Sequence, residues 1–200
     1  MSVDPAEATG PLAELRRLDG AVYAAVVRTD TQALDGVMRR LSHAANYSRL
    51  SVASAVVLAL AGGPRGRRAA VSGLATVALS SAIVNVALKP LGRRRRPARD
   101  AHEVAPARRV RMPSSASFPS GHSASAFAFA VGAGRVWPAA GVPLRALAAA
   151  VAYSRVHTGV HYPGDVIAGS LIGAATADLS GDAVDGLVNH IWTRQSSRSS

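Results

Sequence analysis

Ala69–Leu88 reads AAVSGLATVALSSAIVNVAL, a run of about 20 residues without a charge. A helix of that length covers about 30 Å, the thickness of a bilayer's hydrocarbon core, so the stretch predicts a membrane-spanning helix. Its glycine, alanine and serine residues are the kind that let helices approach closely in lipid. On the N-terminal side, Ser51–Gly63 (SVASAVVLALAGG) is apolar but short. It gains length when extended back to Tyr47 with Arg49 snorkelling to the surface. Gly62, Gly63, Pro64 and Gly66 then interrupt the helix. On the C-terminal side a polar, Arg- and Pro-rich connection over Lys89–Ser117 leads to three more apolar segments, near Ser120–Val136, Leu144–Tyr153 and Pro163–Leu179. Trp137 marks a boundary, as tryptophan does at membrane interfaces. Strand-like alternation is missing throughout. The expected fold is all-α: a membrane helical bundle of about five spanning helices.

Ahead of the bundle, Pro11 to about Asn46 is amphipathic. Leu12, Leu15, Leu18, Val22 and Val26 recur at helical spacing, with Arg16, Arg17, Arg28, Arg39 and Arg40 as a basic complement. This predicts an N-terminal amphipathic helical section at the membrane interface. The chain divides into a leader over 1–10, one helical domain over 11–185 and a polar tail over 186–200. The acidic, weakly apolar N-terminus does not read as a cleaved secretory signal. Lysine and arginine total 23 against 12 acidic residues, a net charge of +11, which favours an anionic partner. Nucleic acid is disfavoured, because aromatic residues are 4% of the chain against 48% hydrophobic, too few for a base-stacking surface. The absence of cysteine excludes disulfides, thiolate metal sites and thiol nucleophiles.

Three polar clusters sit at the ends of apolar segments: Lys89-Pro-Leu-Gly-Arg-Arg-Arg-Arg96-Pro97, Pro119-Ser120-Gly121-His122, and Ser154-Arg155-Val-His157-Thr-Gly-Val-His161-Tyr-Pro-Gly-Asp165. If the helices alternate across a bilayer, element order alone puts all three on one face. Lys89, Arg96 and Arg155 then supply cations for phosphate oxygens. Ser120 and Gly121 precede a helix start, where free N–H groups attract anions. His122 and His161 can move protons near neutral pH. Asp165 follows His161 by four residues and can fix its ring. The set suits phosphoryl transfer by positioning and charge neutralisation. The residues by themselves do not choose between His122 and His161 as nucleophile, although the adjacent Asp165 leans the choice toward His161.

These clusters resemble the three signature motifs of the type 2 phosphatidic acid phosphatase family, K-x6-RP, PSGH and SR-x5-H-x3-D, and every fixed position is present between Lys89 and Asp165. The family shares a superfamily with vanadium haloperoxidases and class A acid phosphatases. The resemblance implies His161 as a nucleophile that forms a phosphohistidine, with Asp165 holding its ring. It implies His122 as the acid for the leaving alcohol and then the base for water. Lys89, Arg96, Ser120, Gly121 and Arg155 would bind the phosphoryl oxygens, with no metal and no cofactor. The implied substrate is a lipid phosphate or diphosphate in the membrane, and the implied location a bacterial plasma membrane crossed several times. The candidates are phosphatidic acid, phosphatidylglycerol phosphate, a polyprenyl diphosphate and a polyprenyl-phosphoryl sugar phosphate. The rival within the superfamily is a soluble acid phosphatase or haloperoxidase, which the uncharged Ala69–Leu88 disfavours.

Other charged residues read more plainly. Arg93, Arg94 and Arg95 are expected as solvated charges near headgroups, and Arg108, Arg109 and Arg111 likewise, with a second-phosphate contact as the sharper alternative. His157, four residues before His161, is expected in local hydrogen bonding rather than in a metal pair, because Arg155 repels a cation there. His43, His102 and His190 carry no context. Asp178, Asp182 and Asp185 read as surface charges, and Phe118, Phe127 and Phe129 as packing.

Overall fold

A computed structural model describes residues 10–91 and 94–196. The expected leader lies outside them apart from Gly10, as does Arg93. Regular structure among the described residues is helical, in seven main helices: α1 (Pro11–Arg28), α2 (Gln32–Ala44), α3 (Arg49–Ala61), α4 (Gly63–Leu91), α5 (Gly121–Val136), α6 (Pro138–His157) and α7 (Pro163–Ser196). Proline opens α1, α6 and α7, where its fixed φ suits the first turn and its missing N–H is no loss. Ser120 caps α5, its hydroxyl accepting from the Ser123 N–H at 3.4 Å. The last turns of α4 widen to a π-helix over Ile83–Leu88, just before Lys89.

Helix α5 is the hub and packs on α4, α6 and α7. Side-chain size sets how close they come. Gly169 and Gly173 of α7 lie against the Ser120 and Ala124 carbonyls of α5, and a Cβ at either position would overlap that backbone. Thr76 of α4 donates across to the Ala128 carbonyl at 2.9 Å, so its buried hydroxyl also joins helices. One apolar core joins Ala55, Leu58, Ala70, Val77, Phe129 and Ala133 of α3, α4 and α5. A second joins Tyr23 and Val27 of α1 to Val104, Val156 and Val166. The outer face is apolar as well: Val56, Val57 and Leu60 on α3, Val71 and Val86 on α4, and Ile167, Leu171 and Leu179 on α7 are exposed.

Two expectations shift. The last helix does not end near Leu179 but continues to Ser196, and α6 starts at Pro138 rather than near Leu144. Past Leu179 the polar residues find partners: Asp182 and Asp185 pair with Arg135 at 2.5 and 3.7 Å, and Asp185 accepts from Ser72 at 2.9 Å. Span number is the other. Among the described residues, one helix, Gly63–Leu91, is long and apolar enough to cross a bilayer by length and composition. A second is reached if α2 and the stretch Asn46–Ala61, bent by 70°, count as one broken span. The 16 residues of α5 cover only about 24 Å, and α7 carries four aspartates. Helix Gly63–Leu91 has only 33% of its apolar window buried, the reverse of a soluble core helix.

Candidate active site

The C-terminal ends of α4 and α6 meet the N-terminal ends of α5 and α7 at one end of the bundle, as element order predicted. Lys89 ends α4, Gly121 and His122 open α5, Arg155 lies in the last turn of α6, and Asp165 in the first turn of α7. The α4–α5 connection brings Arg96 across to the α6–α7 turn, where His161 sits.

His161 is 1% exposed. Arg96 Nη1 lies 3.2 Å from its Nε2. A guanidinium only donates, so Nε2 is the acceptor and carries the lone pair. In the neutral ring the proton is then on Nδ1, which faces Asp165 Oδ2 at 3.5 Å, within ion-pair range but short of a formed hydrogen bond. Burial lowers the His161 pKa to about 4, and Arg96 and Arg155 push the same way against Asp165. The imidazole is neutral at pH 7.

Asp165 is fully buried and receives Ser117 Oγ at 2.5 Å, the Tyr162 N–H at 3.0 Å and Arg94 Nη1 at 2.9 Å. The carboxylate is therefore held from three sides, which fixes where it meets the His161 ring. Arg94 in turn reaches Asp19 of α1 at 2.6 Å, and Asp19 accepts the Gly164 N–H at 2.7 Å.

Arg96 is held by the carbonyls of Ser115 at 2.9 Å and Val160 at 2.8 Å. Ser115 Oγ links it to Lys89: Arg96 Nη2 lies 3.3 Å away and Lys89 Nζ 3.5 Å. A Cβ on Gly121 would stand 3.5 Å from Lys89 Nζ, in ordinary van der Waals contact, so the helix start lies beside the ammonium. Ser120 is fully buried, its N–H bound to the Asp165 carbonyl at 2.9 Å and its hydroxyl used as the cap. The N–H groups left over at this helix start belong to Gly121 and His122. Arg155, 2% exposed, donates through Nη1 to Ser42 O at 3.1 Å and Ser42 Oγ at 2.6 Å, while its buried Nε has no partner. An unused guanidinium N–H beside a second cation is a donor set for an anion.

His122 Nε2 lies 2.9 Å from Asn46 Oδ1, contributed by the kink between α2 and α3. Tyr47 and Ser48 in that kink are both left-handed, with φ of 56° and 55°, uncommon for residues with side chains. A cavity of about 550 Å³ opens here, lined among others by His122, Lys89, Gly121, Asn46, Asn85 and Arg111. Ser115 lines it too, and through Ser115 and Arg96 it connects to His161.

Residues 69–181, more than half of the chain, match the PAP2 superfamily. The chain belongs to the PAP2 superfamily. It is a lipid phosphate phosphatase of that family. It is 40% identical over 135 residues to the decaprenylphosphoryl-5-phosphoribose phosphatase of Mycobacterium tuberculosis, covering 66% of this chain and 71% of that one. Its fold is similar to that of the transmembrane PAP2 type phosphatidylglycerolphosphate phosphatase from Bacillus subtilis, with a TM-score of 0.64 and 25% identity over 93% of this chain and 90% of the other. Aquifex aeolicus LpxE shares the fold at a TM-score of 0.60 and 22% identity, over 82% of this chain and 94% of that one.

Several neighbours of the site carried no signal in the sequence. Arg94, expected as a solvated charge, is clamped between Asp19 and Asp165, 28% exposed, and stacks on Tyr162 with its guanidinium 4.2 Å from the ring centre. Arg108, expected among the solvated arginines, is 3% exposed; it pairs with Asp35 at 2.8 Å and donates to the Val27 and Thr29 carbonyls at 3.0 and 2.6 Å. Arg109 pairs with Asp100 at 2.8 Å. His157 bonds Asp35 of α2 at 3.0 Å, a hydrogen bond across the fold rather than the local one expected of it. Ser42, Asn46 and Asp19 lie before the motif-bearing region, and nothing in their spacing marked them.

Proposed function

We propose that this protein removes a terminal phosphate monoester from a polyprenyl-phosphoryl sugar phosphate, a lipid that keeps a second phosphate after the reaction, through a phosphohistidine on His161. The observation that carries the mechanism is the buried, neutral His161, its Nε2 lone pair held against Arg96. The Mycobacterium tuberculosis relative supports the lipid class.

His161 Nε2 attacks phosphorus, the P–N bond forms, and the bond from phosphorus to the leaving alcohol oxygen breaks. His122, which the bound phosphate anion keeps protonated among the surrounding cations, gives its proton to that oxygen. Water, deprotonated by the now neutral His122, then attacks phosphorus, and the P–N bond breaks to release inorganic phosphate. Asp165 balances the charge His161 carries as a phosphoimidazolium. Lys89, Arg96, Arg155 and the Gly121 N–H neutralise the phosphoryl oxygens, with Ser120 holding the helix start in place. Asn46 restrains the His122 ring. The exposed apolar faces of α3, α4 and α7 support a multi-pass bundle of about five spans, shortened where the helices tilt or the site dips into the bilayer. They weigh against a soluble acid phosphatase or haloperoxidase.

The test is phosphate release from the phosphosugar lipid in detergent micelles. Wild type is expected to be active in EDTA and inhibited by vanadate. His161→Ala is expected to lose at least about 10³-fold in kcat. A strict requirement for added divalent metal, or a His161→Ala variant of wild-type rate, contradicts the mechanism.

A further inference from the structure

A second basic hollow adjoins the first. It encloses about 340 Å³ and is lined by Arg39, Arg40, His43, Ala44, Arg109, Val110 and Arg111. Among the described residues, no carboxylate lines it. Arg39, Arg40 and His43 come from the last turns of α2, where two arginines side by side reach one end of the hollow. Arg109 and Arg111 come from the connection between α4 and α5. Arg39, Arg40, His43 and Arg111 are exposed, so water rather than a carboxylate balances the three guanidinium charges. The Asp35 carboxylate, the acid nearest in sequence on α2, is taken by buried Arg108 and His157. Asp100 pairs with Arg109, a lining residue whose charge is thereby balanced. The hollow therefore keeps three guanidiniums, those of Arg39, Arg40 and Arg111, that face solvent.

Arg111 lines both this hollow and the larger cavity that holds Lys89, Gly121 and His122. The two share that side chain as a common wall, so a molecule with its reactive phosphate in the larger cavity reaches the basic hollow by rounding Arg111. Ser81, Asn85, Asn46 and Ser125 line the larger cavity with hydroxyl and amide groups, which suits a hydroxylated spacer rather than an acyl chain. Arginine forks are matched to the two free oxygens of a phosphodiester.

We propose that the hollow of Arg39, Arg40, His43, Arg109 and Arg111 is a second anion site that holds the phosphodiester the substrate keeps, while the terminal monoester is cleaved beside His161. The assignment rests on the phosphosugar-lipid reading above and adds to it a residue set that selects lipids with two separated phosphates over lipids with one. It turns Arg39 and Arg40, on a helix outside the family match, into specificity determinants.

The experiment compares two lipids in neutral detergent micelles: a polyprenyl-phosphoryl sugar phosphate and phosphatidic acid, whose single phosphate is the one removed. The readout is the ratio of their kcat/KM values in wild type and in Arg39→Gln/Arg40→Gln, two exposed positions whose change leaves the buried cores intact. The variant is expected to lower that ratio about tenfold or more, through KM of the two-phosphate lipid. An unchanged ratio overturns the site. In a second arm the micelles carry added phosphatidylglycerol, an anionic lipid without a monoester. If that lipid accelerates phosphatidic acid turnover in wild type but not in the variant, while the ratio in neutral micelles is unchanged, the hollow serves a neighbouring headgroup and the proposal fails. Loss of phosphate release from both lipids by wild type would instead refute the phosphosugar-lipid reading and is distinguishable, because the ratio is then undefined from the start.

Discussion

At the scale of single residues, the proposed chemistry turns on which nitrogen of His161 carries the lone pair. Arg96 settles it, since a group that can only donate must meet a lone pair. Burial then keeps the ring neutral, with its pKa lowered to about 4. The linkage has a definite sign. Between pH 6.5 and about 4 the unfolded chain takes up a proton at this histidine and the folded chain does not, so His161 subtracts stability as pH falls through that window and contributes nothing above it. Followed by NMR in detergent, the His161 ring of the substrate-free enzyme is expected to titrate near 4; a midpoint above 6 contradicts the burial argument. Arg94 sets how much of the Asp165 charge the ring feels, because it neutralises that carboxylate at 2.9 Å. Arg94→Gln is expected to raise the His161 midpoint, since an uncompensated carboxylate favours the imidazolium. A midpoint that stays or falls removes Arg94 from this role.

At the scale of elements, α1 and α2 brace the site from outside the family match. Asp19 holds Arg94 and the first turn of α7, Tyr23 Oη reaches the Gly159 carbonyl at 3.4 Å, and Ser42 holds Arg155. Asp35 is the node of a buried cluster with Arg108 and His157. Asp35→Ala leaves the Arg108 guanidinium buried without its anion, a change that costs about 3–5 kcal/mol. The expected result is a clear fall in the thermal midpoint of the detergent-solubilised protein, and a midpoint within a degree or two of wild type, about the scatter of such measurements, argues that α2 is not anchored through this pair. The amphipathic pattern of α1 and α2 was legible from Leu12 to Val26 and beyond, but its partners were not. An arginine such as Arg108 looks the same in sequence whether it meets solvent or a buried carboxylate 73 positions earlier. The turn at Tyr47–Ser48, which delivers Asn46 to His122, was equally silent, because residues other than glycine seldom signal a left-handed backbone.

At the scale of the whole molecule, apolar residues lie outside as well as inside. Leu60 on α3, Val86 on α4 and Leu179 on α7 are 82%, 76% and 89% exposed. A water-soluble bundle would not leave such surfaces open on three helices. The protein expressed in bacteria is expected in the membrane fraction, resistant to alkaline carbonate and released by detergent. Recovery from detergent-free cytosol would contradict the membrane reading.

Helical class, membrane character and family were legible in Ala69–Leu88 and the motif-bearing runs, as was the convergence of the candidate site residues, because uncharged length and the order of helix ends are properties of the chain itself. Helix ends were less legible: α4 and α6 are longer at both ends than expected, and tertiary partners extend α7 to Ser196. Three things were decided only by tertiary structure: which of many arginines are committed, which nitrogen of His161 faces Arg96, and how α2 reaches Arg155. The reason is common to all three. Charge and hydrogen-bonding capacity are written in each side chain, but whether a partner stands within 3 Å depends on segments far apart in sequence, and only packing brings those together.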